Sequence, residues 1–262
     1  MRSGKPVAVF AVLLVVSFAT MNAMPSDTLL AALLQEAVLA LVALVAVGLA
    51  VPDALKRCTQ TVQQRSIVRF TAITLLLVGL VGGAITLLAW LFAGGGTMAC
   101  FASTALPSTA DLMENLLLLL GICLLTGLYE ESFMRVLGIE VFERALDTKR
   151  TILASAALFA LLHVGAPDVS AGQLVLLQTA LKFGQALLFG VILGALYVRT
   201  RRLWPCAFIH AGFDVLYMAP NVLLTGTMPE TYASGAVGDT VLLAVSVLML
   251  AGIVLKIRKE IA

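Results

Sequence analysis

The chain has 262 residues, 61% of them hydrophobic and 12% charged, with a mean hydropathy of +1.04 and a net charge of +2. Soluble globular domains carry about 25% charged residues, so this composition excludes one and indicates an all-α polytopic membrane protein, a single transmembrane domain over residues 1–262. Nucleic acid is not an implied partner. The four cysteines, Cys58, Cys100, Cys123 and Cys206, form no CxxC pair and indicate neither a zinc cluster nor a disulfide framework.

Arg2 and Lys5 precede an apolar run from about Val7 to Ala19. That pattern suits a signal peptide with small residues near Ala23, or a first membrane helix reaching Met24; the continued apolar length favours the helix. A second span is expected from about Thr28 to Val51, with Gln35 and Glu36 inside it. A polar, basic segment from Asp53 to Arg69 follows, then a third span from about Phe70 to Phe92. Its Gly79 and Gly83 are spaced to let helices approach closely. Gly94-Gly95-Gly96 opens a loop to Ser108.

The fourth span starts near Asp111 and is expected to run to about Gly138. A polar stretch from Glu140 to Arg150 leads to a fifth span, from Thr151 to the helix-stop signal Gly165-Ala166-Pro167. The sixth, from about Gly172 to Tyr197, carries Gln178, Lys182 and Gln185 as a polar stripe, and Gly190 and Gly194 as a second close-packing pair. The seventh opens after Arg201 and Arg202, tolerates Pro205 in its first turn, and runs towards Pro220. The eighth covers about Thr240 to Leu255.

Eight spans with both termini inside place 16 of the 17 Lys and Arg residues in inner segments or, for Arg135, at the inner end of the fourth span. The exception, Lys182, lies within the sixth span, and the outer loops hold none. The excess of basic residues on cytoplasmic loops sets this orientation. It predicts that Cys58 is labelled from the cytoplasmic side and Cys100 from the outside.

Within the fourth span, Tyr129-Glu130-Glu131-Ser132-Phe133-Met134-Arg135 follows the apolar run Leu116–Leu128. A charge at mid-bilayer costs on the order of 2.5–3.5 kcal/mol on insertion scales, so such groups face a protein interior or a watery cavity. Glu131 and Arg135 are four apart and can pair on one helix face. Glu130 points about 100° away, so one carboxylate can be held while the other is left free. The structural alternative is that both glutamates are interfacial. The chain's two histidines, His163 and His210, also lie in apolar spans, and Asp214 follows His210 by one turn. Either histidine alone suits a structural hydrogen bond. At 1.5 Å per residue, Glu130, His163 and His210 lie about 12, 18 and 10 Å from the inner ends of their helices. Those depths suit one cavity opening to the cytoplasmic side, provided the fourth span extends past Tyr129.

Glu130-Glu131-x-x-x-Arg135, Phe159-x-x-x-His163 and His210-x-x-x-Asp214 resemble the three ordered motifs of the CPBP intramembrane proteases. That family includes the CAAX prenyl endopeptidases and the bacterial Abi and bacteriocin-processing proteins. The resemblance covers about residues 111–221 and suits eight helices. It implies hydrolysis of a peptide bond in or near the membrane, with a peptide or membrane protein as substrate. Glu130 would be the general base, His163 would help hold the water, and His210 would polarise the carbonyl or stabilise the oxyanion. Glu131 and Arg135 would form the supporting pair.

Many family members have Asn where this chain has Asp214. An ionised Asp cannot donate a hydrogen bond to an oxyanion, so Asp214 would orient His210, raise its basicity or ligate a metal. Family members have been discussed both as metalloproteases and as metal-independent glutamate proteases. Glu130, His163 and His210 would satisfy a catalytic zinc site with one open position. There is no HExxH, and the reading leans to no tightly held metal. Two rival classes remain. Glu36, Lys182 and the site residues could line a proton or ion path, although paired interrupted helices, common in transporters, are missing from the sequence. A non-catalytic scaffold with the protease fold is the other. Substrate identity and oligomeric state are not legible; the compact chain suits a bacterial plasma membrane.

Overall fold

The computed structural model describes residues 4–24, 26–58, 65–92, 107–164, 172–229 and 233–261. These residues form helices and no strand. In chain order they are α1 (Lys5–Ala23), α2 (Leu29–Ala50), α3 (Pro52–Cys58), α4 (Arg65–Phe92) and α5 (Thr109–Glu131). A π-helical segment, Ser132–Gly138, joins α5 to α6 (Ile139–Phe142). Then come α7 (Thr148–Val164), α8 (Gln173–Thr200), α9 (Leu203–Thr225) and α10 (Val237–Ile261).

Seven helices among the described residues are long and apolar enough to cross a membrane, with Thr109–Phe142 counted as one. The chain is therefore a multi-pass membrane protein, as its composition indicates. The sequence count of eight differs at α7, which has 17 residues. At 1.5 Å per residue it is about 25 Å long, just under the roughly 30 Å hydrocarbon core. The first apolar run is helical from Lys5 to Ala23. The basic segment after the second span, read from sequence only as polar, contains the short helix α3. The Gly94-Gly95-Gly96 loop, the stop signal Gly165-Ala166-Pro167 and Cys100 lie outside the described residues.

Local sequence explains how the site-bearing helix begins. Ser108 Oγ accepts from the Asp111 N–H at 3.2 Å, and the Ser108 N–H donates to Asp111 Oδ2 at 3.0 Å. This reciprocal box satisfies donors that the first helical turn would otherwise leave open. The helix passes Tyr129 as the depth argument requires, but not as a uniform α-helix. From Ser132 it widens into π turns, and all seven residues of that segment are buried. Such turns are rare and concentrate at functional sites.

Close helix approach sets the packing. α9 is central, with α5 and α4 against it. A Cβ at Gly127 of α5 would lie 2.6 Å from the Ala207 carbonyl oxygen, so only glycine allows this approach. The Gly79 and Gly83 pair meets the α9 backbone at Phe213 and Leu216, and Gly190 and Gly194 seat α8 on Ala156 and Ile152 of α7. Both small-residue pairs are thus helix contacts. Large apolar side chains such as Leu41, Leu117 and Leu248 point outward, as a lipid-facing surface requires. At one end, Arg57 pairs with Glu140 at 2.5 Å and Arg201 with Glu143 at 2.6 Å. α3, α6 and the α8–α9 turn therefore share that end, all three being segments that the charge pattern assigns to one side.

Candidate active site

The three motifs converge. Glu130 comes from α5, His163 from the last turn of α7, and His210 with Asp214 from α9. Glu130 Oε1 lies 3.9 Å from His163 Nε2, and Glu130 Oε2 lies 3.5 Å from His210 Nε2. Asp214 Oδ2 is also 3.5 Å from His210 Nε2. Residues separated by 80 positions in sequence thus meet around one carboxylate.

The two glutamates have different surroundings. The Glu131 and Arg135 side chains are both 0% exposed, with Arg135 Nε 3.1 Å from Glu131 Oε2. The guanidinium lies over the Phe159 ring at 4.6 Å. The other Glu131 oxygen accepts from His210 Nδ1 at 2.9 Å. One carboxylate therefore holds both the arginine and the imidazole. Glu130 is instead 18% exposed and His163 24%. Both line a cavity of about 640 Å³. Its other walls are mostly apolar and include Phe18 and Met21 of α1, Phe133 of the π-helical segment, and Leu162 of α7.

Hydrogen bonding fixes which ring atoms face Glu130. His163 Nδ1 lies 2.8 Å from the Phe159 carbonyl, which can only accept, so Nδ1 carries the proton. In the neutral ring, Nε2 is then an acceptor aimed at Glu130. His210 is oriented the same way, its Nδ1–H donating to Glu131 and its Nε2 turned to Glu130 and Asp214. The His210 ring is packed by Phe189, with centroids 4.8 Å apart. Glu130 Oε2 has no hydrogen-bond partner among the described residues. Glu130 Oε1 and the neutral His163 Nε2, two acceptors facing one another across 3.9 Å, suit a shared donor such as water, or a cation. Two imidazole nitrogens and a carboxylate are also the donor types of a catalytic zinc site. The donor chemistry fits, although among the described residues no three His, Cys, Asp or Glu are drawn together as a metal-holding cluster.

The six site residues drawn from the three motifs are therefore in one constellation. Two features were not foreseen. Glu131 orients His210 as well as pairing with Arg135, whereas the sequence reading makes orienting His210 one of three roles for Asp214 and not a role of Glu131. Asp214 does reach the ring, but at Nε2, on the side of Glu130. The other feature is the participation of α1 in the cavity wall. Its only sequence signal is polar Ser17 and Asn22 on an apolar helix; both line the cavity.

Residues 112–216 match a family described as Rce1-like, type II CAAX prenyl endopeptidase Rce1-like. The match spans less than half of the chain and contains all six site residues. It bears out the resemblance drawn from the three motifs and implies a protease acting at a membrane. Compared with curated proteins, the chain finds no match.

Proposed function

We propose, from the Rce1-like match over residues 112–216, that this chain is an intramembrane endopeptidase that uses Glu130 to activate water. The supporting observation is the meeting of His163 Nε2 and His210 Nε2 at the two oxygens of Glu130, beside a cavity large enough for a peptide segment. A water between Glu130 and His163 would give one proton to the carboxylate as its oxygen attacks the peptide carbonyl. His163 Nε2 would accept the other hydrogen bond and fix the lone-pair direction. His210 in its protonated form would donate Nε2–H to the developing oxyanion, a contribution that grows as charge develops. Glu131 would steady that imidazolium through Nδ1, and Arg135 would hold Glu131. The proton taken by Glu130 would then pass to the leaving amine.

Zinc, when bound, would be held by Glu130, His163 and His210 and would supply Lewis acidity towards the peptide carbonyl. Asp214 would remain beside His210 in either case. The substrate would be a peptide or membrane protein reached from the bilayer. The cavity would open towards the cytoplasmic side of a bacterial plasma membrane, the orientation drawn from the basic residues. The whole chain would act as one transmembrane domain, with residues 111–221 as its catalytic core.

Purified protein assayed against a peptide library tests this reading, with Glu130→Gln as the blank. Gln keeps the side-chain volume but cannot take the proton. Cleavage by the parent and a loss of about 10²–10⁴-fold in the variant are expected. Parent and variant cleaving equally would remove Glu130 as the base.

A further inference from the structure

The polar stripe Gln178, Lys182 and Gln185 on α8 has no role in the chemistry above. The structure gives its members separate partners. Gln178 Nε2 donates to the Ala236 carbonyl at 2.7 Å and to Thr240 Oγ1 at 3.0 Å, while its Oε1 accepts from the Gly235 N–H at 2.8 Å. It clasps the start of α10 and is structural. Gln185 is buried and donates to the Tyr217 hydroxyl on α9 at 3.0 Å. Lys182 Nζ donates to Gln185 Oε1 at 3.2 Å.

Helix register places Lys182 beside the site. Gly190 meets Ala156 and Gly194 meets Ile152, so α8 ascends as α7 descends. Continuing that register brings Lys182 to the level of His163. On the α9 side, Tyr217 is three residues after Asp214, so the two share a face. The Gln185–Tyr217 bond therefore steers the lysine towards the face that carries Asp214. On that face the Asp214 carboxylate stands 3.5 Å from His210 Nε2. Three carboxylates surround His210, and only Glu131 has an arginine of its own. A lysine within a membrane span is costly unless something opposes its charge.

We propose that Lys182 is a positioning residue of this site: its ammonium, steered by Gln185 and Tyr217, is the counter-charge that holds Asp214 in place beside His210. Its role is thus tied to the presence of an acid at position 214, where an amide would need no such partner. The turnover arm of the test below rests on the peptidase reading; the melting arm does not.

The test is a double-mutant cycle on the full chain in detergent, with Lys182→Met, Asp214→Asn and the two combined. Lys182→Met is expected to lower kcat about tenfold, with KM little changed, and to lower Tm by about 3 °C. With Asp214→Asn already present, the same change should cost less than about threefold in kcat and less than about 1 °C. Lys182→Arg, which keeps the charge, should restore most of both. Lys182→Gln repeats the cycle should the methionine variant not purify. Equal losses in the two backgrounds would overturn the proposal, even with Glu130-dependent cleavage intact. Coupled melting shifts in a protein that cleaves nothing would uphold it while removing the peptidase reading.

Discussion

Glu130 and Glu131 are adjacent in the chain, and their two sides of the helix differ in almost every respect. On the Glu131 side the carboxylate is sealed, with Arg135 on one oxygen and His210 Nδ1 on the other. On the Glu130 side the carboxylate faces a cavity, and two imidazole nitrogens lie 3.5 and 3.9 Å from its oxygens. A fully buried carboxylate held by an ion pair on one oxygen and a hydrogen bond on the other suits a group whose task is to hold others in position. A part-exposed carboxylate beside a cavity suits a group that must exchange protons with a bound molecule. A helix turning about 100° per residue provides this division from two neighbouring residues.

The comparison predicts opposite damage on the two sides. The largest stability loss is expected for Glu131→Gln, which leaves Arg135 buried without its charge partner. Removing one member of a buried pair costs about 3–5 kcal/mol. Denaturant unfolding in detergent should show that loss, together with reduced turnover from a misplaced His210. Parent-like stability and activity would dissolve the distinction between the two glutamates. Next in size is His163→Phe, which keeps a ring against Phe159 and removes Nε2. It should lower turnover about 100-fold and leave Tm near the parent value; a drop in Tm with turnover kept would make His163 structural.

The smallest expected effect is that of Asp214→Asn. Without a metal at Asp214, the amide should change turnover less than about tenfold, because His210 keeps its Glu131 bond. Inductively coupled plasma analysis of the same samples separates the alternative. Stoichiometric zinc in the parent, lost with activity in Asp214→Asn, would make Asp214 a ligand and contradict the metal-free reading. A strong chelator that abolishes turnover, with zinc restoring it, would point the same way.

Much of this site was readable from local pattern. The apolar spans, the Glu131–Arg135 pair at i,i+4 and the placement of Glu130 on a different face need only helix geometry, and all appear in the structure. The convergence of α5, α7 and α9 followed from depth along each helix. What escaped depends on contacts between distant segments. The Glu131–His210 bond joins residues 79 apart, and no spacing rule encodes it. The cavity wall contributed by α1 arises the same way, since Phe18 and Met21 look like ordinary lipid-facing residues until α7 is placed nearby. The π-helical turns at Ser132–Gly138 left no trace in the apolar pattern, because every side chain there is buried and periodicity cannot report a face. The far boundary of α7 was legible, since its described helix ends at Val164, just before the Gly165-Ala166-Pro167 stop signal; its 17 residues leave it slightly short of a full span.

Two adjacent carboxylates thus divide chemistry from support. The most direct test of that division is to measure peptide hydrolysis and thermal unfolding of Glu130→Gln and Glu131→Gln side by side. Glu130→Gln is expected to lose turnover by about 10²–10⁴-fold at an unchanged Tm, while Glu131→Gln loses both. A Glu130→Gln protein that still cleaves at the parent rate, or that unfolds as readily as Glu131→Gln, would contradict it.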